Sequence, residues 1–213
     1  MFHHRIILGS QSPRRRELLA RAGFEFDVMS ADPSVEGGLC SGCSPDELVV
    51  RWAVNKAGDI AKQMKASSLN SHSKTESADS ANSRETLIIT ADTVAEVDGQ
   101  ILGKPRDEDD ARRMLQMMSG RSHRCLTGVC LWDAATSDHV GRLAISDLYM
   151  HPLSESQITA YLQTDKWIGK SGAFGFQDGP DWLELRTGLA STVIGLPVEL
   201  LPEWIKEFYD IER

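Results

Sequence analysis

No apolar run in this 213-residue chain approaches the roughly 18 residues that a membrane-spanning helix needs. The opening Met1-Phe2-His3-His4-Arg5 lacks the apolar core and small-residue cleavage site of a secretory signal, so no membrane partner and a cytoplasmic location are expected. Basic residues are in deficit: 23 Lys and Arg against 31 Asp and Glu leave a net charge of −8, which repels polyanions and argues against stable nucleic-acid binding. Cysteine is scarce, with Cys40 and Cys43 in a C-x-x-C spacing and Cys125 and Cys130 far downstream. If 123–131 is a strand, residues five apart point to opposite faces, so Cys125 and Cys130 cannot share one zinc ion. The C-x-x-C pair has no thioredoxin-like surroundings, so four reduced thiols are the expectation and a redox pair at Cys40 and Cys43 is the other reading. Internal repeats and a long linker are also missing. What remains is an ordinary globular composition, 41% hydrophobic and 25% charged, long enough for one full domain or one domain built as two lobes around a cleft.

Against that background, Leu8-Gly9-Ser10-Gln11-Ser12-Pro13-Arg14-Arg15-Arg16 stands out. Ile6-Ile7-Leu8 reads as a buried strand, Ser12 as an N-cap and Pro13 as the first residue of a helix. Three arginines then occupy the first turn, where the helix dipole disfavours cations by roughly 0.3–1 kcal/mol each. Free N–H groups, seryl hydroxyls and guanidinium groups suit an anion such as phosphate; the other reading is a solvated basic turn.

Further along, the helix should end near Gly23, and Phe24 to Met29 alternates apolar and acidic residues like a half-exposed strand. Ser30 to Cys43 reads as a loop in which Glu36 is a solvated acid. Ser44-Pro45-x-Glu47 is a capping-box start for a second helix, whose apolar stripe Val49, Trp52, Ala53, Ile60 and Met64 also carries Lys56. That lysine either snorkels to the edge or points into a cleft. Residues 65–84 are Ser-, Asn- and charge-rich and predict a flexible surface insertion. Leu87 to Val94 predicts a buried strand ending in polar residues, turned back at Asp98-Gly99 so that Thr93 faces Lys104 and Asp92 faces Pro105. Asp92 at such a strand end is either a turn acid or a metal ligand or base. A helix capped by Asp107 and stopped by Ser119-Gly120 follows, then two antiparallel strands near 123–132 and 140–150. Ser154 and Gln157 form another capping box. Gly169 to Gly179 holds four glycines, which permits close approach to a ligand but matches no Walker A spacing. A short strand around 183–185 and a last helix from Val198 complete the chain.

Several ordered motifs together resemble one family. They are Ser10-x-Ser12-Pro13-Arg14-Arg15 through Leu19, Arg51-Trp52-Ala53-Val54-Asn55-Lys56-Ala57, Ala91-Asp92-Thr93, Gly103-Lys104-Pro105, His123 with Thr127-Gly128-Val129, Lys170 through Gln177, and Val193 through Pro197. They look like the Maf family of nucleotide pyrophosphatases, once described as septum-formation inhibitors. The resemblance spans nearly the whole of 1–213 as a single domain. It implies an α/β fold, a mixed twisted sheet with flanking helices in two lobes around a central cleft, similar to inosine triphosphatases, and a homodimer. It implies hydrolysis of a nucleoside triphosphate to monophosphate and pyrophosphate with Mg²⁺ or Mn²⁺. Carried over, Ser10, Ser12, Arg14 and Arg15 would hold phosphate, Lys56 and Lys104 would neutralise the triphosphate, and Glu36 and Asp92 would manage metal and water. Asp92-Thr93 and Gln177 look like the dTTP/UTP branch; the alternatives are a 7-methyl-GTP-type pyrophosphatase or a non-catalytic nucleotide-binding regulator of division. The chain departs from the family pattern at Val35-Glu36, where two acids are usual, at Trp52 and Ser171, and at Asp178-Gly179-Pro180-Asp181-Trp182 beside the expected base pocket.

Overall fold

The computed structural model describes residues 4–35, 42–71 and 86–210. Glu36, Cys40 and most of the Ser-rich segment, 72–84, lie outside them. Among the described residues seven strands form one mixed sheet with the path β2-β1-β3-β5-β6-β7, and β4 pairs with β3 off that path. The strands are β1 Arg5–Leu8, β2 Asp27–Val28, β3 Thr86–Val97, β4 Gln100–Leu102, β5 Arg121–Asp133, β6 His139–Met150 and β7 Leu183–Thr187. The first two pairings, β1 with β2 and β1 with β3, are parallel and the rest antiparallel. The helices are α1 Pro13–Arg21, α2 Pro45–Ser71, α3 Glu108–Met118, α4 Glu155–Leu162, α5 Ala190–Ile194 and α6 Leu201–Asp210.

Local chemistry accounts for most boundaries. At the start of α2 the Ser44 N–H donates to the Glu47 carboxylate and the Glu47 N–H to the Ser44 hydroxyl, the predicted reciprocal cap. Asp107 caps α3 by accepting from the Asp110 N–H at 2.8 Å. Ser154 and Gln157 close a full capping box on α4. Asp98 and Gly99, at φ 51° and 80°, make the tight turn between β3 and β4, and the Glu96 carboxylate accepts the Gly99 N–H.

The sheet is buried on both faces. Even-numbered β3 residues such as Ile88 and Val94 pack beneath α2, with Ala53, Ile60 and Val49. Odd-numbered residues face the other side, where Leu87, Ile89 and Ala91 meet Leu19 of α1 and Ile205 and Phe208 of α6, and Ala95 and Val97 meet α3 and α4. Cys125 and Cys130 are buried free thiols in separate clusters, on the two faces of β5.

Several expectations change. Helix α2 continues through Ser71, so residues 65–71 are helical where a surface loop is predicted. Strand β2 keeps two residues of the expected six, α5 was not anticipated, and the last helix begins at Leu201 instead of Val198. Cys43 is disulfide-bonded, which overturns the expectation of four reduced thiols.

Candidate active site

The site exists because one edge of β3 is left open in its middle. Along that edge β1 pairs with Thr86 through Ile89, and β4 pairs with Ala95 through Val97. The Gly9 N–H makes one more ladder bond, to the Ile89 carbonyl at 2.7 Å, before the chain turns away into α1. Among the described residues, Thr90 to Val94 therefore meet no strand on this side, while β5 continues along the other edge. Asp92 and Thr93 lie in this gap, the only two β3 residues that are not buried. The β3–β4 register is the predicted one, but the ladder ends at the Ala95–Leu102 pair, so Lys104 and Pro105 leave the sheet before reaching Thr93 and Asp92. Asp92 is also in mid-strand, not at a strand end.

A cleft of about 430 Å³ opens over the gap, within the range of small-molecule sites. It reaches both faces of the sheet around the free edge. On the α2 face the Lys56 ammonium meets the Asp92 carboxylate at 2.7 Å, with the two side chains 8% and 20% exposed. Lys56 thus points inward from the apolar stripe and does not snorkel. The second Asp92 oxygen accepts the Thr93 N–H at 2.9 Å, which fixes the carboxylate plane. Lys104 lines the same cleft.

On the opposite face, Thr93 is the hub. Its hydroxyl accepts from Arg15 Nη2 at 3.1 Å and shares a hydrogen bond with Thr127, which donates to the Thr192 carbonyl. Its carbonyl accepts the Ser171 hydroxyl at 2.7 Å, and the Gly172 N–H donates to the Gly103 carbonyl. The glycine-rich segment is thereby tied both to the open strand and to the residue before Lys104.

The three arginines of α1 part company. Arg14 reaches across the cleft to the Gly169 carbonyl at 3.2 Å. Burial lowers its pKa from the ordinary guanidinium value, and the nearby Asp178 carboxylate partly opposes that effect. Arg15 turns inward and brackets the fold, donating to the Gly195 carbonyl, the Ser10 hydroxyl and Thr93. Arg16 is exposed and outside the cleft lining. The Ser12 side chain makes no cap hydrogen bond, and no acid occupies the first turn of α1, so the end of the helix facing the cleft stays electropositive.

The residues from 5 to 208 match the family model described as Maf-like protein. The chain belongs to the Maf family. Among curated relatives, a Rhodopirellula baltica protein named dTTP/UTP pyrophosphatase is 40% identical over 204 residues, 95% of this chain and 82% of that one. Relatives of the same name from Geotalea uraniireducens and Clostridioides difficile are 36% and 33% identical, over 91% and 97% of this chain and 89% and 96% of theirs. The solved structure of a HAM1 protein from Coxiella burnetii shares the fold, with a TM-score of 0.50 at 12% identity over 96% of this chain and 99% of that one.

Of the Maf-type site residues expected from the sequence, the cleft brings together Ser10, Ser12, Arg14, Arg15, Lys56, Asp92, Thr93, Lys104 and Gln177. Glu36 falls outside the described residues. Sequence reasoning missed Lys170, Phe174 and Phe176 as cleft-lining residues, along with Val193 and the buried Cys125. The density of glycines from 169 to 179 was their signal; nothing local marked Cys125 or Val193.

Proposed function

We propose that this protein hydrolyses nucleoside triphosphates of the dTTP/UTP type to the monophosphate and pyrophosphate. The observation that carries the reading is the Lys56–Asp92 pair, held at 2.7 Å in an open gap of the sheet, in a cleft that Lys104 and Arg14 also line. A triphosphate carries about four negative charges, and cleavage between its α and β phosphorus atoms leaves more charge on the departing pyrophosphate, so fixed cations lower that barrier. The names of the curated relatives support the choice of base.

Asp92 suits a divalent metal. Mg²⁺ is commonly held by one or two carboxylates together with substrate phosphates and water, and Asp92 offers a partly exposed carboxylate inside the cleft. Glu36 joins it in the role implied by the family resemblance. When bound, Mg²⁺ or Mn²⁺ supplies charge neutralisation and acidifies water. The chain's own groups do the rest: Lys56 orients Asp92 and faces the phosphates, Asp92 holds the metal or takes up a proton, and Ser10, Ser12, Arg14 and Arg15 form the phosphate-side wall. The reading includes a cytoplasmic homodimer; among the described residues no helix is long and apolar enough to cross a membrane.

The test is pyrophosphate release from dTTP, UTP, CTP and 7-methyl-GTP with Mg²⁺. Release from dTTP and UTP is expected, and Asp92→Asn should lower kcat by roughly 10²-fold or more. Release from 7-methyl-GTP alone would move the protein to the other branch. No release from any nucleotide, with binding retained, would make it a non-catalytic regulator.

A further inference from the structure

Within the glycine-rich wall of the cleft, Lys170 and Asp178 form an ion pair with side chains 11% and 20% exposed. The pair closes a loop of nine residues on itself. Gly175 lies directly beneath it: a Cβ there would come within 2.1 Å of the Asp178 carboxylate and 2.2 Å of the Lys170 ammonium. The loop is held at further points by the Ser171 hydroxyl on the Thr93 carbonyl, by the Gly172 N–H on the Gly103 carbonyl, and by the Gly175 N–H on the Tyr161 hydroxyl. Gln177 sits next to Asp178 in the short 3₁₀ turn Phe176–Asp178, which Gly179 ends in the left-handed conformation at φ 64°. Its side chain lines the cleft and is exposed, with no hydrogen-bond partner among the described residues. An amide with an unused donor and an unused acceptor matches the paired donor and acceptor on the edge of a pyrimidine.

We infer that the Lys170–Asp178 pair is a clamp that positions the Gln177 amide and so sets the base preference of the cleft. Asp178 is a positioning residue: it touches neither Asp92 nor Lys56, and its carboxylate acts on the substrate only through the turn that carries Gln177. Arg14 holds the same loop from across the cleft, through its hydrogen bond to the Gly169 carbonyl. The inference rests on the proposed pyrophosphatase activity.

Two variants break the clamp in different ways. Asp178→Asn removes one charge, and Gly175→Ala splits the pair by steric clash while leaving both charges in place. Both are expected to raise KM for the preferred nucleotide about tenfold, to leave kcat within about threefold, and to reduce the kcat/KM preference for dTTP over CTP by about tenfold. Asp178→Glu should recover most of that preference. Thermal melting of each variant separates a local change from loss of the fold, and the preference ratio is read only on protein that melts cooperatively. If both variants keep the wild-type ratio, the pair merely braces the loop and the inference is overturned while the activity stands. If wild-type protein releases no pyrophosphate from any nucleotide, both readings fail together.

Discussion

At the scale of single residues, His123 shows how burial alone can make a side chain pH-sensitive. It is 3% exposed, neither ring nitrogen has a hydrogen-bond partner of good geometry among the described residues, and its ring meets Phe174 edge-on at 5.5 Å. Burial lowers its pKa to about 4, with the Arg121 backbone and the Glu96 carboxylate pulling weakly the other way. The unfolded chain therefore takes up a proton near pH 6.5 that the folded protein refuses until about pH 4. Stability is complete above pH 6.5, falls as pH drops through that window, and loses nothing further from this group below it. The full effect is on the order of 3 kcal/mol for a shift of this size. Denaturant unfolding of wild type and His123→Leu at several pH values should show this fall in the first and a much flatter profile in the second.

At the scale of elements, α2 is set by glycines in the strands beneath it. A Cβ at Gly128 of β5 would lie 2.4 Å from the Val49 carbonyl oxygen and 2.6 Å from the Val50 nitrogen, both backbone atoms of α2 that cannot rotate aside. Gly128→Ala is expected to lift the helix, cost about 1–3 kcal/mol, and lower kcat/KM at least tenfold, because Lys56 lies two turns further along the same helix. Gly58→Ala is the control: its Cβ would meet Trp132 at an ordinary 3.5 Å, and in a helix interior the change should be neutral or stabilise by up to about 1 kcal/mol. The elements that local chemistry controls were readable in advance, as Ser44-Glu47, Asp107, Asp98-Gly99 and Ser154-Gln157 all act where their types and spacing place them. Elements fixed by distant contacts were not. The five residues of α5 are too short for periodicity and are held by Thr127 on the Thr192 carbonyl. Residues 65–71 continue α2 without an apolar stripe, because extending an existing helix is far easier than starting one.

The same division governs the site. Residue types at Ser10, Lys56, Asp92 and Gln177 were legible, but the open edge of β3 depends on where β1 stops, at Leu8, and where β4 begins, at Gln100, far apart in sequence and visible only once paired. The separate fates of Arg14 and Arg15 likewise depend on Gly169 and Gly195, far along the chain.

At the scale of the whole molecule, two electrostatic effects compete. A net charge of −8 repels a nucleoside triphosphate, whereas Lys56, Lys104 and Arg14 attract it from the cleft walls. Screening decides which dominates. At 0.1 M salt the Debye length is about 10 Å, so most of the distributed surface charge is already weakened at the cleft mouth, while the cleft cations act over shorter distances and between low-dielectric walls. Local attraction should therefore govern association. Raising KCl from 0.05 to 0.5 M is expected to lower kcat/KM about three- to tenfold with kcat changed less than twofold, since the bound triphosphate is shielded from the added ions. Lys104→Met should flatten that dependence as well as raise KM. A kcat/KM that instead rose with salt would mean that the acidic surface controls substrate entry, and the cleft cations would then act only after the nucleotide has arrived.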